Sequence, residues 1–346
     1  MSERPRLGFI GVGWIGLSRL QALAETNRAE IVAIGDPDPA ACDKARAVAP
    51  HAAIVSNYDE LVQLPLDGVV IATPSGQHAE QCVRAFEHGL AVFCQKPLGR
   101  SAAEVGDVMR AAKRAGRPLG VDLCYRHTAA LRRLKELVTS GELGRVYAVD
   151  ATFHNAYGPD RAWANQREHA GGGCLIDLGV HLLDAARWLL EGPRNAIDCT
   201  SALFARGEKL GRSAQEVEDM AFAELVFDDA RTVRVACSWR SSFGADAAIR
   251  VACFGTNASA AFENVGGSFY DFQCELYRGT NRTVVAAPPD AWGPRALMAW
   301  VSELERGAGY SEDVHLLPVA RELDLIYGRD PIGAAERPAA LAAARA

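Results

Sequence analysis

The sequence predicts an α/β protein, with a doubly wound parallel sheet in its N-terminal part and an antiparallel sheet in an α+β C-terminal part. Two observations carry this. Up to residue 123, short apolar runs alternate with segments of helical period, the pattern of a parallel sheet covered on both faces. From Val146 onward, apolar runs follow one another with turn signals between them, which implies antiparallel neighbours. A chain of 346 residues exceeds a single common domain. The change of pattern divides it into residues 1–123 and 124–346.

In the first domain, Arg6–Val12 is apolar without alternation, as a strand buried on both faces should be. Gly13–Ala24 repeats its apolar residues at helical spacing, and Glu30–Asp36 reads as a second buried strand that Pro37 stops. The alternation continues with a helix over Ala40–Ala49, a strand at Ala53–Val55, a helix over Tyr58–Leu64 and a strand at Gly68–Ala72 closed by Thr73 and Pro74. Helix Gln77–His88, strand Ala91–Cys94, helix Ala102–Ala115 and strand Pro118–Leu123 complete the series. Crossovers of one hand place the helices on both faces.

The second domain opens with a helix over Thr128–Ser140, ended by Gly141. Strands follow at Val146–Phe153, Met220–Phe227, Thr232–Ser238 and Ile249–Phe254, with Asp228-Asp229 and Gly255-Thr-Asn257 as turns. Helices over Gly179–Leu190 and Pro294–Arg306 are expected on one face of this sheet. The other face then needs a cover, which predicts packing against another subunit. The Ala-rich end, Ala334–Ala346, carries no functional signal.

Composition narrows the function. Apolar residues make up 49% and charged residues 23%, an ordinary globular balance. With 37 basic against 43 acidic side chains the formal charge is −6, so no basic field exists to hold nucleic acid. Nine cysteines show no CxxC spacing and signal neither a metal site nor a redox pair. They read as buried free thiols of a reducing compartment, the cytoplasm. No apolar run reaches the ~18 residues of a membrane span, and a strand that starts at Arg6 leaves no room for an export signal.

Gly11-Val-Gly13-Trp14-Ile15-Gly16 has the spacing GxGxxG. Alone the match is weak, because glycines also mark plain turns. Here it follows a buried strand, opens a helix, and precedes Asp36 at the end of the next strand, the full pattern of a dinucleotide site. Gly11 suits the tight turn, Gly13 a close approach to a pyrophosphate, and Gly16 close packing of helix on sheet. The phosphates would lie on the helix N-terminus, at the backbone of Trp14 and Ile15. Asp36 can accept both ribose hydroxyls and would repel a 2′-phosphate, and no Arg follows in Asp36-Pro-Asp-Pro39. NAD is therefore expected rather than NADP. Thr73, Pro74 and His78 follow the fourth strand, at the edge where such sheets bind ligands. They read as a cofactor wall or as a turn that caps the next helix; no catalytic role is expected of His78.

Gln95-Lys96-Pro97 ends the fifth strand, so Lys96 projects over the same crevice. Most lysines are solvated surface groups. This one is fixed between an apolar run and a proline, and burial beside a positive nicotinamide would suit it to proton exchange. Later comes Gly171-Gly-Gly-Cys-Leu-Ile-Asp177-Leu-Gly-Val-His181. Asp177 and His181 share a face if the segment is helical; the plain alternative is a helix cap and a packed imidazole. The three glycines suggest a backbone that approaches something closely, such as a ligand.

Taken in order, Gly11–Gly16, Thr73-Pro74 with His78, Lys96-Pro97, Tyr125-Arg126 and Gly171–His181 resemble the glucose–fructose oxidoreductase, inositol dehydrogenase and MocA-like family of NAD(P)-dependent oxidoreductases, over nearly the whole chain. The resemblance implies a Rossmann domain, then a domain whose large, mostly antiparallel open sheet mediates a homodimer or homotetramer. It also implies a catalytic trio of Lys96, Asp177 and His181, and sugars, cyclitols or related polyols as substrates. Tyr125, Arg126, Tyr157 and Trp163 are candidate sugar-binding groups, since aromatic faces and donors suit polyols; for Tyr157 and Trp163 core packing is an equal reading. One departure stands out. The family has Glu-Lys-Pro where this chain has Gln95-Lys96-Pro97, and Gln accepts a hydrogen bond without adding charge, so the anion beside Lys96 is missing. Three readings follow: a sugar or polyol dehydrogenase, an enzyme that uses transient oxidation by bound NAD to eliminate or hydrolyse a glycoside, and, because of Gln95, a non-catalytic NAD or sugar sensor. Either Lys96 or His181 could move the proton.

Overall fold

The computed structural model of the chain describes residues 4–192, 194–211 and 214–329. The chain divides into two compact units. Among the described residues, one holds the chain up to Cys124 together with Gly293–Val314, and the other holds Tyr125–Trp292 with His315–Arg329.

The first unit is built on six parallel strands: β1 (Arg6–Ile10), β2 (Glu30–Gly35), β3 (Ala53–Ile54), β4 (Gly68–Ile71), β5 (Ala91–Cys94) and β6 (Leu119–Val121). Their order is β3-β2-β1-β4-β5-β6, so the winding reverses between β1 and β4. Doubly wound sheets bind ligands beyond the strand ends at such a reversal. All of β4 and β5, and all of β1 after Arg6, are buried, which is why these strands show no alternation. The crossover helices are α1 (Trp14–Thr26), α2 (Pro39–Val48), α3 (Tyr58–Val62), α4 (Ser75–Glu87) and α5 (Ala102–Ala115). Side chains of Asp38, Asn57 and Ser101 cap α2, α3 and α5. The starts of α1 and α4, the two helices that follow the strands at the reversal, have no side-chain cap.

One helix corrects the reading of the sequence. Arg295–Glu305, expected on the second sheet, packs on this one: Ala296, Leu297, Trp300 and Val301 join a core with Leu7, Phe9, Val70 and Phe93. Two glycines make the room. A Cβ at Gly68 or Gly120 would meet the Trp300 indole at 3.0 or 2.8 Å. Helical period shows which face is apolar but not which sheet receives it. Burial of each large side chain contributes roughly 1.5–3 kcal/mol.

The second unit carries nine strands: β7 (Val146–Asn155), β8 (Ala196–Ala205), β9 (Glu208–Lys209), β10 (Met220–Phe227), β11 (Thr232–Ser238), β12 (Ala247–Gly255), β13 (Ser259–Asn264), β14 (Phe272–Arg278) and β15 (Asn281–Ala286). Their order is β15-β14-β13-β12-β7-β11-β10-β8-β9, antiparallel throughout except for β7 beside β11. Helices α6 (Ala129–Thr139), α8 (Val180–Leu190) and α10 (Leu316–Tyr327) pack on β13 and β14, on β7, and on β8 respectively; α7 (Arg167–Ala170) is a single turn, and Arg295–Glu305 is α9. Along β10, Ala221, Ala223, Leu225 and Phe227 are buried while Phe222 and Glu224 on the opposite face are exposed. Tyr147 is exposed as well, and Phe204 meets Phe222 edge-on. One face of the sheet is thus covered by helices and the other carries large aromatic groups in the open. Residues 334–346 lie outside the described residues. All nine cysteines are free thiols. Among the described residues no cluster of His, Cys, Asp or Glu could hold a metal, and no helix is long and apolar enough to cross a membrane.

Candidate active site

At the reversal edge of the first unit, the glycine turn is packed too tightly for side chains. Gly11 has φ +79°, and a Cβ there would lie 2.5 Å from the carbonyl carbon of Ala72 at the end of β4. A Cβ at Gly16 would lie 3.0 Å from the carbonyl carbon of Gly11 and nearer still to its oxygen. Gly13 precedes α1, whose first residue, Trp14, is largely exposed and whose second, Ile15, is half-buried. The Asp36 carboxylate accepts the Val12 amide at 2.8 Å and the Asp38 amide at 2.9 Å, so it joins the end of β2 to the glycine turn. Each oxygen keeps a further lone pair for a hydroxyl donor.

The loops after β4 and β5 are tied together by His78. Its Nδ1 lies 2.7 Å from the Pro97 carbonyl oxygen and its Nε2 2.7 Å from that of Thr73, and the ring is buried. Burial holds the His78 pKa below the ordinary value, against the pull of both carbonyls. The Thr73 hydroxyl donates to Gln81 at 2.6 Å, and Pro74 leads directly into α4. Lys96 follows β5, half-buried, and its peptide bond to Pro97 is cis. The buried side chain of Gln95 donates its amide to Oδ2 of Asp122, and the same oxygen takes Nε of Arg19 at 2.7 Å. A carboxylate thus lies against Gln95, and it is ion-paired with Arg19. The edge fits a dinucleotide by its own features: first-turn amides of α1 without a side-chain partner, glycines where a Cβ would meet backbone, and an acid at the end of β2.

In the second unit the close approach expected of the glycine triplet is made, at Gly172 and Gly173, to the protein itself. A Cβ at Gly172 would lie 2.6 Å from Cζ of Tyr327, and one at Gly173 would lie 2.8 Å from the carbonyl carbon of Glu218. The buried Glu218 carboxyl accepts the amides of Gly173 and Leu175 at 2.9 and 3.0 Å and the Tyr327 hydroxyl at 2.8 Å. Burial pushes its pKa above the ordinary glutamate value in spite of those bonds. This knot launches a π-helical turn, Leu175–Gly179, that carries Asp177. His181 lies in the first turn of α8, so the pair does not share one regular α-helix. Single π-turns recur at functional sites.

Asp177 accepts Nε1 of Trp239 at 3.0 Å. The buried His181 ring meets Tyr125 edge-on, with centroids 4.9 Å apart, and Tyr125 in turn packs among Phe153, Phe262 and Phe272. Arg126 forks onto Asp184 of α8, with Nε 2.7 Å from Oδ2. Tyr157 is exposed and donates its hydroxyl to Asp246 at 2.6 Å, and Trp163 is half-buried in the 3-10 turn Ala162–Asn165. The structure thus groups Gly11, Gly13, Gly16, Asp36, Thr73, Pro74, His78, Gln95 and Lys96 in the first unit. It joins His181 to Tyr125 in the second. Reading the sequence missed Arg19, Asp122, Glu218, Trp239 and Tyr327.

Residues 5–123 match the oxidoreductase family with an NAD-binding Rossmann fold, and residues 131–261 match the Gfo/Idh/MocA C-terminal domain. A protein of Amycolatopsis mediterranei (strain S699), assigned as UDP-kanosamine synthase oxidoreductase subunit, is 36% identical over 262 residues, 70% of this chain and 71% of that protein. The chain belongs to the Gfo/Idh/MocA family. This family member is an oxidoreductase, and its Rossmann unit is of the NAD(P)-binding kind. Two solved structures share the fold. GenD2 from gentamicin A biosynthesis, in complex with NAD, has a TM-score of 0.79 at 23% identity over 95% of each chain. KijD10, a 3-ketoreductase from Actinomadura kijaniata in complex with NADP and TDP-benzene, has a TM-score of 0.81 at 19% identity over 94% of this chain and 98% of that one.

Proposed function

We propose that the chain transfers a hydride between a hydroxyl-bearing carbon of a sugar, cyclitol or related polyol and NAD, with Lys96, Asp177 and His181 as the reacting side chains. The observation that carries this is the edge at the β1–β4 reversal, where an uncapped helix start, a glycine turn closed to side chains and the Asp36 carboxylate lie together. NAD is favoured over NADP because Asp36 is held by two backbone amides where a 2′-phosphate would need a cation, and residues 37–39 supply none. Backbone amides of Gly13, Trp14 and Ile15 would hold the pyrophosphate, Gly11, whose own amide is bonded to the Gly35 carbonyl, would make the tight turn that leads to them, Asp36 would hold the ribose hydroxyls, and Thr73, Pro74 and Gln95 would form the wall of the cleft.

When bound, the nicotinamide supplies the hydride acceptor. His181 takes the proton from the substrate hydroxyl, Lys96 stabilises the negative charge that develops on that oxygen, and Asp177, fixed by Trp239, orients the imidazole or the substrate. Tyr125 holds the His181 ring by its edge, so its part in sugar recognition runs through that ring. Arg126 is committed to Asp184 and shapes the wall rather than reaching freely for substrate. The sensor reading rested on the uncharged Gln95, and the match of residues 5–123 to an oxidoreductase family speaks against it.

The test is a panel of aldoses, polyols, inositols and UDP-linked hexoses with NAD and with NADP, read as reduced nicotinamide. Accumulation with NAD supports the proposal. Glycoside cleavage without net reduced nicotinamide would instead support the transient-oxidation reading. The open face bearing Tyr147 and Phe222 fits a subunit interface, so light scattering at micromolar concentration should show a dimer or tetramer; a 37 kDa particle alone would reject that assembly. Nine free thiols fit a reducing compartment, and we place the protein in the cytoplasm.

A further inference from the structure

The geometry points to Asp122 as a positioning residue of the Lys96 corner: its buried carboxylate, paired with Arg19, holds the Gln95 amide and so fixes the residue that precedes Lys96. This deepens the reading of Lys96 as a reacting group and rests on it for its functional part.

A carboxylate only accepts hydrogen bonds, so the group that Gln95 presents to Asp122 must be its NH2. The orientation of the Gln95 amide is thereby settled by Asp122, and glutamate at 95 would set oxygen against oxygen in a buried place. Gln95 and Asp122 are also joined through the sheet. The Asp122 amide donates to the Cys94 carbonyl at 3.0 Å, and the Gln95 amide donates to that of Ile71 at 2.8 Å, so side-chain and main-chain bonds fix the same peptide, one residue before Lys96. Arg19 closes the arrangement from α1. Its side chain is 2% exposed and that of Asp122 1%, so this ion pair is buried, and a buried charge that loses its partner is strongly destabilising.

The surroundings show how charge is distributed. Burial holds the thiols of Cys94 and Cys124 well above their ordinary range; Asp122 adds to both, while Arg19 and Lys96 oppose it at Cys124. Asp122 Oδ1 is buried with no hydrogen-bond partner, whereas Oδ2 serves both Arg19 and Gln95. An acid kept here with one oxygen unused is a poor choice for stability alone. It is a consistent choice for a corner that must hold the Gln95 amide in one orientation beside Lys96.

The experiment is a double-mutant cycle on the full chain: Gln95→Glu, Asp122→Asn and the two combined. Melting temperature is read with and without NAD, together with turnover of whichever panel sugar is accepted. Each single change should lower Tm by roughly 6–15 °C, the first by facing two carboxylates and the second by stripping Arg19 of its anion. The combined variant, again with one carboxylate and one amide, should recover more than half of the loss. Turnover in Asp122→Asn should fall at least about tenfold, with NAD affinity changed less than about threefold, and should recover in the combined variant. Singles that melt like the parent, or a double variant as unstable as both losses added, would overturn the proposal. Should Asp122→Asn fail to fold, Gln95→Glu alone decides. Its Tm relative to the parent should rise as pH falls from 8 to 5.5, since one of the facing carboxyls then takes a proton; a pH-independent difference would overturn it. The melting cycle needs no substrate, so it succeeds or fails apart from the sugar panel.

Discussion

Replacing Gly173 with alanine would set a methyl group 2.8 Å from both the carbonyl carbon and the amide nitrogen of Glu218, and closer still to its carbonyl oxygen. Those are backbone atoms and cannot rotate away. The segment must therefore withdraw, which strains or breaks the bonds from the Gly173 and Leu175 amides to the Glu218 carboxyl and from the Cys174 amide to the Glu218 carbonyl at 2.9 Å. Overpacking costs about 1–3 kcal/mol, and the weakened bonds to Glu218 together add about 2 kcal/mol, so a loss of about 3–5 kcal/mol is expected. That corresponds to a fall in Tm of roughly 6–15 °C. Differential scanning fluorimetry is the assay, with Gly211→Ala as control, because a Cβ there meets nothing within 4 Å. The same change should disturb the π-turn and lower turnover through Asp177. A Gly173→Ala protein that melts within about 2 °C of the parent yet binds sugar poorly would refute this reasoning. It would restore the view that the triplet faces a ligand.

Further outcomes follow from the same structure. Gly16→Ala should raise the NAD dissociation constant at least about tenfold, measured by NADH fluorescence, because the helix start must move off the glycine turn. Asp36→Ser should narrow the preference for NAD over NADP at least about tenfold in kcat/KM; an unchanged ratio would show that Asp36 does not select the cofactor. Burial pushes the Glu322 carboxyl up to about 7 although it pairs with Arg187 at 2.5 Å. Between 4.5 and 7 the unfolded chain releases this proton while the folded one keeps it, so stability declines with rising pH, by up to about 3 kcal/mol. Glu322→Gln should flatten that part of the Tm–pH curve between pH 5 and 8, and an unaltered slope would contradict the assignment.

The first sheet was legible because its information is local. Strands such as Gly68–Ile71 are buried along their whole length, helices follow at regular intervals, and GxGxxG with Asp36 lies inside one βαβ unit. What reading the sequence missed depends on partners far away in the chain. Nothing near Gly172 announces Tyr327, and nothing near Gly68 or Gly120 announces Trp300. The outer strands β13, β14 and β15 are short, and β15 is mostly exposed, so their apolar pattern is faint. Arg19 did leave a sign: it stands on the apolar stripe of α1 with Gly16, Leu20 and Leu23, all buried. A charge there calls for a buried counter-charge, and Asp122, directly after the apolar strand β6, is that charge. The missing glutamate at 95 could have been weighed against it.

Deuterium transfer shows whether a hydride passes from sugar carbon to nicotinamide. A sugar accepted in the panel, deuterated at its carbon positions, is incubated with NAD, and the nicotinamide is analysed by mass spectrometry. The account predicts reduced nicotinamide that carries deuterium, and loss of that product in Lys96→Ala and in His181→Ala proteins that still bind NAD. Reduced nicotinamide without the label, or none with any sugar while NAD stays bound, would contradict it.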